Sequence, residues 1–245
     1  GVVACELAQY LVRVGARVTI VQRSPRLLKE FSPEASKVVE QAFRDEGAEL
    51  FLDTELHQVE NLSNGSVRVH FGHAGERVQR ETGYLFNALG RIPSATSLDL
   101  VSAGIKTLPS GHLRTNSYQQ TTAPNVYAAG DCSGPHEIVH VAIRQGETAA
   151  AHALGREVAP MDYGGLLSVV FTDPQVAYVG LSLSEIEARG ISCASASFPF
   201  DDHGKSILME AKRGHVAIHA NKVDGRILGA ECVGKDAGEL IHSIS

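Results

Sequence analysis

Several groups of residues in this sequence are of types that do chemistry. Asp131 closes the run Thr121-Thr122-Ala123-Pro124-Asn125-Val126-Tyr127-Ala128-Ala129-Gly130-Asp131. By residue type the run is a turn at Ala-Pro-Asn, a short buried strand over 126–129, then a glycine and an acid. A carboxylate at the carboxyl end of a buried strand stands where open α/β sheets bind their ligands. Gly130 has no Cβ, so a ligand can approach the backbone. An ionised Asp131 only accepts hydrogen bonds, which suits the hydroxyls of a sugar or polyol. The plain structural alternative is an Asp that caps the next helix. Just beyond it, His136-Glu137-Ile138-Val139-His140 spells H-E-x-x-H, the spacing at which two imidazoles on one helix face bind zinc beside a general base. Gly134-Pro135 precedes it directly and puts His136 at a helix start, and no third ligand follows at an expected spacing. The residues therefore read as polar groups at a helix start, with no metal ligand assigned.

The elements that position these groups follow from periodicity. Val3, Leu7, Leu11 and Val14 recur at helical spacing with Gly15 as a stop, and 18–21 reads as a buried parallel strand. A helix followed by a strand is the second half of a βαβ unit, in which N–H groups at the helix start face a pyrophosphate. NAD enzymes place an acid at the end of that strand for the ribose 2′-hydroxyl. Here Gln22 stands in its place, with Arg23 and Arg26 nearby. Arginines pair with a 2′-phosphate, which favours NADPH over NADH; plain surface charge is the alternative. Ser32-Pro33-Glu34 opens a second helix, which Gly47 ends. Strands are expected over 49–52, 56–62, 67–71 and 77–80, with a hairpin at Asn64-Gly65. An apolar strand over 84–89 leads into Gly90-Arg91, and a short helix is expected over 98–104. A long Ala-rich helix follows the H-E-x-x-H run and stops at Gly155. Ser182-Leu183-Ser184-Glu185 is a capping box. Strands over 193–198, 206–211, 215–220 and 227–233 and a last helix over 237–245, capped by Asp236, complete an α+β segment.

Composition excludes some functions. The 245 residues hold 22 basic against 28 acidic side chains, a formal charge of −6 that disfavours nucleic acid or an anionic membrane as partner. No two of Cys5, Cys132, Cys193 and Cys232 are spaced as a C-x-x-C pair, and the opening 1–21 stretch is interrupted by charges. The chain reads as a cytoplasmic protein with reduced thiols and no membrane span.

The Asp131 run, Gly90-Arg91-Ile92-Pro93 and Phe171-Thr172-Asp173-Pro174-Gln175-Val176-Ala177-Tyr178-Val179-Gly180 together resemble three motifs of the class I pyridine nucleotide-disulfide oxidoreductases. That family includes dihydrolipoamide dehydrogenase and mercuric reductase, the branch the detailed sequence looks closest to. Gly1, Ala4 and Glu6 resemble the later positions of its G-x-G-x-x-[GA]-x-E fingerprint. The resemblance implies an internal fragment: an α/β dinucleotide-binding three-layer NAD(P) domain over 1–92 lacking its first strand, the carboxyl part of an FAD domain over 93–160, and a truncated antiparallel-sheet dimerisation domain over 161–245. It implies FAD and NADP (or NAD) as cofactors and hydride transfer from NAD(P)H to FAD, then to a cysteine pair, then to a disulfide, small-molecule or mercuric-ion substrate. By resemblance, Gly1, Val2 and Val3 face the dinucleotide and Glu6 pairs near the flavin. Gln22, Arg23 and Arg26 surround the ribose phosphate, and Gly90 lies close to the dinucleotide with Arg91 between the two cofactors. Asp131 holds a ribityl hydroxyl, and Glu137, Ile138, Val139, His140 and Val141 line the flavin edge. The family's C-x-x-x-x-C pair and H-P-T-x-x-E segment are not in this sequence, so no catalytic residue is assigned and these residues alone are expected to be inactive. Alternatives are a dihydrolipoyl dehydrogenase running toward NAD+ and a non-catalytic nucleotide-binding or dimerisation module. Homodimerisation is expected through 161–245.

Overall fold

The computed structural model describes residues 1–95 and 97–245, which divide into two compact units. One comprises 1–89 with 164–245, the other 90–163. In the first unit, helix α1 (Val2–Arg13) is followed by strand β1 (Thr19–Val21), helix α2 (Pro33–Asp45) and strand β2 (Glu49–Phe51). The α1–β1 reversal runs through Gly15 at φ 92°, a left-handed backbone that glycine adopts freely. β1 and β2 pair in parallel, with Ile20 opposite Leu50. β1 is half-exposed, contrary to the buried strand expected, because a single neighbouring strand covers it. α2 starts as its sequence dictates: Ser32 Oγ accepts the Ala35 N–H at 3.0 Å and Pro33 occupies the first turn.

An antiparallel meander follows, β3 (Glu55–Asn61), β4 (Val67–His73) and β5 (Glu76–Thr82). Asn64-Gly65 turns the first hairpin, with Gly65 at φ 84° and Asn64 Oδ1 accepting the Ser66 N–H at 2.9 Å. Val69 and Phe71 are buried, as alternation required. The expected strand over 84–89 does not form. No ladder pairs with this stretch among the described residues, and Tyr84 is 85% exposed.

The carboxyl-terminal part of the same unit is a five-stranded antiparallel sheet in the order β6 (Leu167–Val170), β7 (Gln175–Gly180), β10 (Ile227–Gly234), β9 (His215–Asn221), β8 (Cys193–Pro199). Helix α4 (Leu183–Ala188) carries the expected capping box, Ser182 Oγ and Glu185 each satisfying the other's backbone N–H. The strand expected over 206–211 is instead helix α5 (Gly204–Leu208). Both edges of β9 are already paired, by β8 and β10, so that stretch does not pair with its sequence neighbour, and Ile207 N–H closes onto His203 O at 2.9 Å. The last helix is only α6 (Ala237–Leu240) followed by a 3-10 turn over Ile241–Ser243, and Asp236 makes no side-chain cap, its backbone being left-handed at φ 57°.

The main core joins the two ends of the sequence. Cys5, Leu27, Leu28, Phe31, Val39 and Phe43 pack with Val170, Val176 and Val233. Polar groups fasten the same contact. Gln9, 4% exposed, donates to Glu46 Oε1 at 2.9 Å and Asp173 O at 2.8 Å and accepts the Asp173 N–H at 2.7 Å. Glu231, mostly buried on β10, receives hydrogen bonds from the Ser32 hydroxyl and backbone N–H and from His215 at 3.3 Å. Burial by itself would raise the Glu231 carboxyl, but the bonds from His215 and Ser32 outweigh it and hold it below the ordinary range.

The second unit is mostly irregular chain on one helix, α3 (Val139–Ala153), which ends at Gly155, φ 67°. The helix expected over 98–104 is a set of turns closed by Ile105 N–H on Leu100 O at 2.8 Å. The strand expected over 126–129 reduces to one bridge, Gln120 to Tyr127, flanked by Thr121 N–H to Val126 O at 2.9 Å and Ala128 N–H to Gln119 O at 3.0 Å. A small core of Ala95, Leu113 and Ala128 supports it.

A Cβ on Gly214 would lie 1.8 Å from Val233 O, and its backbone sits at φ 127°. Gly214→Ala is therefore expected to cost more than about 2 kcal/mol in denaturant unfolding. Gly225→Ala, at φ 72° in open space, should cost about 1 kcal/mol. The depressed Glu231 carboxyl contributes stability that is fully present above its unfolded value of about 4.3 and is lost as pH falls through the lower folded value. The stability gap between the wild type and Glu231→Gln, followed by unfolding across pH, should be widest above pH ~5 and narrow as pH falls through the lowered folded value.

Candidate functional site

The second unit gathers residues that the sequence holds far apart. Gly130 bends the chain at φ 80° ahead of Asp131, and a Cβ there would press on Ala142 of α3 at 3.3 Å. The loop from 130 to 134 is fastened by Gln145, a fully buried residue of α3. Its Oε1 accepts the Gly130 N–H at 2.6 Å, and its Nε2 donates to Gly134 O and to the Tyr163 hydroxyl, both at 2.9 Å. Ser133 Oγ adds a bond to Gly130 O at 3.0 Å. Asp131 is thus presented from a loop fixed from below, its own side chain 54% exposed.

Arg91 reaches across to this loop. Its guanidinium donates to Asp131 Oδ2 at 3.1 Å and to Glu137 O at 3.2 Å, and forms an ion pair with Glu137 Oε2 at 2.8 Å. Glu137 Oε1 also meets His112 Nε2 at 3.4 Å. A cavity of about 270 Å³ opens here, lined by Arg91, Ile92, Pro93, Ser94, Asp131, Cys132 and Glu137. Three of the residues read from the sequence, Arg91, Asp131 and Glu137, are brought together. Gly90, at φ 112°, precedes Arg91. Asp131 caps no helix: α3 begins beyond it, with Ile138 at its N-cap position and no side-chain cap bond.

The other candidates on α3 are placed differently. Val139 and His140 are exposed in its first turn, Ile138 is half-buried, and Val141 is buried with Gln145, Thr148 and Ala149 on the inner face. His136 lies before the helix against Tyr163, with ring centroids 5.2 Å apart, and burial lowers its imidazole. His136 and His140 therefore do not share a helix face, which removes the zinc-hydrolase geometry that the H-E-x-x-H spelling offered. His112 and Gln145 were missed in the sequence. Gln145 had a signal, since it falls on the inner face of α3 at helical spacing from Val141 and Thr148. His112 had none, because its contact with Glu137 spans loops.

The remaining candidates lie in the first unit. Gly1 is the N-cap of α1, makes no side-chain cap bond and leaves open space where a Cβ would stand. The first-turn N–H groups of α1, Val2 and Val3 included, thus lack a side-chain cap. That arrangement fits the phosphates of a dinucleotide. Glu6 Oε1 accepts the Phe171 N–H at 2.9 Å. Gln22 continues the β1–β2 ladder, its N–H on Phe51 O at 2.8 Å. Arg23 is exposed and Arg26 Nη2 donates to Lys29 O at 2.7 Å. Among the described residues no carboxylate pairs with either, so both charges remain available to an anion.

The pyridine nucleotide-disulphide oxidoreductase domain matches residues 1–146, and the dimerisation domain of the same enzymes matches 166–245. The chain belongs to the pyridine nucleotide-disulphide oxidoreductase family. It is 36% identical to a mercuric reductase of Acidithiobacillus ferrooxidans over 242 residues, covering 99% of this chain and 43% of that protein. It is 32% identical to a dihydrolipoyl dehydrogenase of Chlamydia pneumoniae over 245 residues, covering 100% of this chain and 52% of that one. The crystal structure of LpdA from Mycobacterium tuberculosis superimposes with a TM-score of 0.87 at 29% identity, over 100% of this chain and 52% of that one. The chain spans about half the length of the curated relatives it matches. The family is FAD-dependent and uses NAD(P)H, and the uncapped α1 start and the exposed Asp131 carboxylate fit those two groups. No helix among the described residues is long and apolar enough to cross a membrane.

Gln145→Leu orphans the Gly130 N–H and the Gly134 carbonyl and leaves the Tyr163 hydroxyl only its 3.4 Å bond from Gln119. It is expected to lower stability by about 2–4 kcal/mol in chemical unfolding, whereas Arg144→Ala, which loses only an exposed pair with Glu147, should change it by less than about 1 kcal/mol.

Proposed function

We propose that these residues are the nucleotide-binding, flavin-contacting and dimerisation segments of an FAD-dependent NAD(P)H oxidoreductase acting on a disulfide or on mercuric ion. The segments are 1–92, 93–160 and 161–245, in a cytoplasmic enzyme that works as a homodimer through the last of them. The observation that carries the reading is the meeting of Arg91, Asp131 and Glu137 beside the Gly130 loop, in a chain whose family uses flavin. In this reading Asp131 accepts a ribityl hydroxyl, and the first-turn N–H groups of α3 face the flavin edge with their partial positive charge. The N–H groups of Gly1, Val2 and Val3 receive the dinucleotide phosphates. Gln22 replaces the acid that would repel a 2′-phosphate, and Arg23 and Arg26 supply its counter-charge, which favours NADPH. Bound flavin supplies hydride acceptance from the nicotinamide and electron delivery to a cysteine pair. The likeness to a dihydrolipoyl dehydrogenase at 32% identity supports a second reading, lipoamide chemistry running toward NAD+.

The full-length polypeptide carrying these residues should purify with flavin absorbance and oxidise NADPH faster than NADH in the presence of mercuric ion or a disulfide. Arg23→Glu combined with Arg26→Glu should raise the KM for NADPH at least about ten-fold and leave that for NADH nearly unchanged. Equal effects on both nucleotides would sink the NADPH assignment. Turnover of dihydrolipoamide with NAD+ alone would select the second reading.

A further inference from the structure

Arg91, Asp131 and Glu137 do not form a simple pair. Asp131 Oδ2 takes Arg91 Nη1 at 3.1 Å, while its Oδ1 has no partner among the described residues. Arg91 is in turn held by the Glu137 side chain at 2.8 Å and by the Glu137 carbonyl at 3.2 Å. Glu137 Oε1 meets His112 Nε2 at 3.4 Å, and His112 Nδ1 meets Ser110 Oγ at 2.9 Å. One neutral tautomer satisfies both imidazole contacts: Ser110 O–H donates to Nδ1, and Nε2–H donates to Glu137. The His112 ring is fixed as well by packing, since a Cβ on Gly134 would touch its Cδ2 at 3.3 Å. The His112 side chain is 17% exposed and that of Glu137 27%, against 58% for Arg91 and 54% for Asp131. The chain of contacts therefore runs from a shielded anchor outward to an open carboxylate.

We infer that Glu137, anchored by His112, is a positioning residue that holds Arg91 against Asp131 Oδ2 and so presents Oδ1 as a fixed acceptor for a ligand hydroxyl. This rests on the proposed flavin reading and adds to it a cause for the orientation of Asp131. A lone exposed carboxylate samples several rotamers and loses that freedom on binding. A carboxylate with one oxygen already held by a guanidinium has lost most of it beforehand. Arg91 could serve alone only if its own long side chain were held, and Glu137 supplies two of its three contacts. Glu137 therefore acts through Arg91 on Asp131, with no ligand contact of its own required.

The test is a double-mutant cycle on the full-length flavoprotein, reading the dissociation constant of FAD from reconstituted apoprotein and the visible flavin spectrum. Asp131→Asn should weaken FAD by about ten-fold or more, the scale of one charge-assisted hydrogen bond. Glu137→Leu should weaken it by about ten-fold in the wild-type background and by less than about two-fold in the Asp131→Asn background. His112→Phe should reproduce part of the Glu137 effect, and His112→Gln, which restores an N–H donor, should recover it. Melting curves accompany each variant; where Glu137→Leu melts early, Glu137→Gln, with the same size and one acceptor oxygen kept, replaces it in the cycle. Loss of FAD affinity that is undiminished in the Asp131→Asn background, or no loss at all, would overturn the positioning role while leaving the flavin site standing. A full-length protein that neither purifies with nor takes up FAD would overturn the flavin reading and this inference with it.

Discussion

The buried amide of Gln145 is the constraint on which the candidate site depends. A carboxamide withdrawn from water must replace its hydrogen bonds or cost the fold roughly 1–3 kcal/mol. Gln145 replaces them with the Gly130 N–H, the Gly134 carbonyl and the Tyr163 hydroxyl. Those partners bracket Asp131 on both sides, so satisfying one buried side chain also determines where an open carboxylate projects. Among its described residues, the unit from 90 to 163 has one helix of any length and only isolated bridges. Without regular ladders, side-chain clamps of this kind do the work that a sheet does elsewhere.

The other unit is organised differently. There, helices, a parallel strand pair and a five-stranded sheet satisfy their own backbones, and the apolar core runs continuously from Leu28, Val39 and Phe43 to Val176 and Val233. Polar residues such as Gln9 and Glu231 occur at the margins of that core, each with its hydrogen bonds met. The start of α1 has no side-chain cap, since its N-cap is Gly1. A helix start without a side-chain cap leaves backbone N–H groups that can bind a phosphate.

The candidate residues fall into two physical kinds. Gly1 leaves a helix start without a side-chain cap, and Arg23 and Arg26, in the bends after β1, pair with no carboxylate among the described residues. Arg91, Asp131 and Glu137 already satisfy one another, so a ligand must fit into an existing balance of charge. The first kind is recognisable by what is missing, the second by what is shared. An ion-paired cluster is also harder to disturb piecemeal, because removing one member strands its partners.

Much of this was legible in the residues themselves. Ser32-Pro33-Glu34, the capping box at Ser182–Glu185, and the turn at Asn64-Gly65 each formed as read, because capping and turn chemistry act over a few neighbouring residues. The family, too, was carried by short motifs whose order along the chain is specific. What tertiary structure alone decided involves partners distant in the chain. The strand read over 84–89 found no ladder among the described residues, the one over 126–129 shrank to a single bridge, and the start of 206–211 lies in a helix over Gly204–Leu208, its neighbour β9 already paired on both sides. Propensity describes a segment, but a strand exists only by pairing with another. The same holds for the site: residue type named Asp131 and the family resemblance named Arg91, but their ion pair joins loops 40 residues apart, and the part of His112 in it came from packing that no local pattern records.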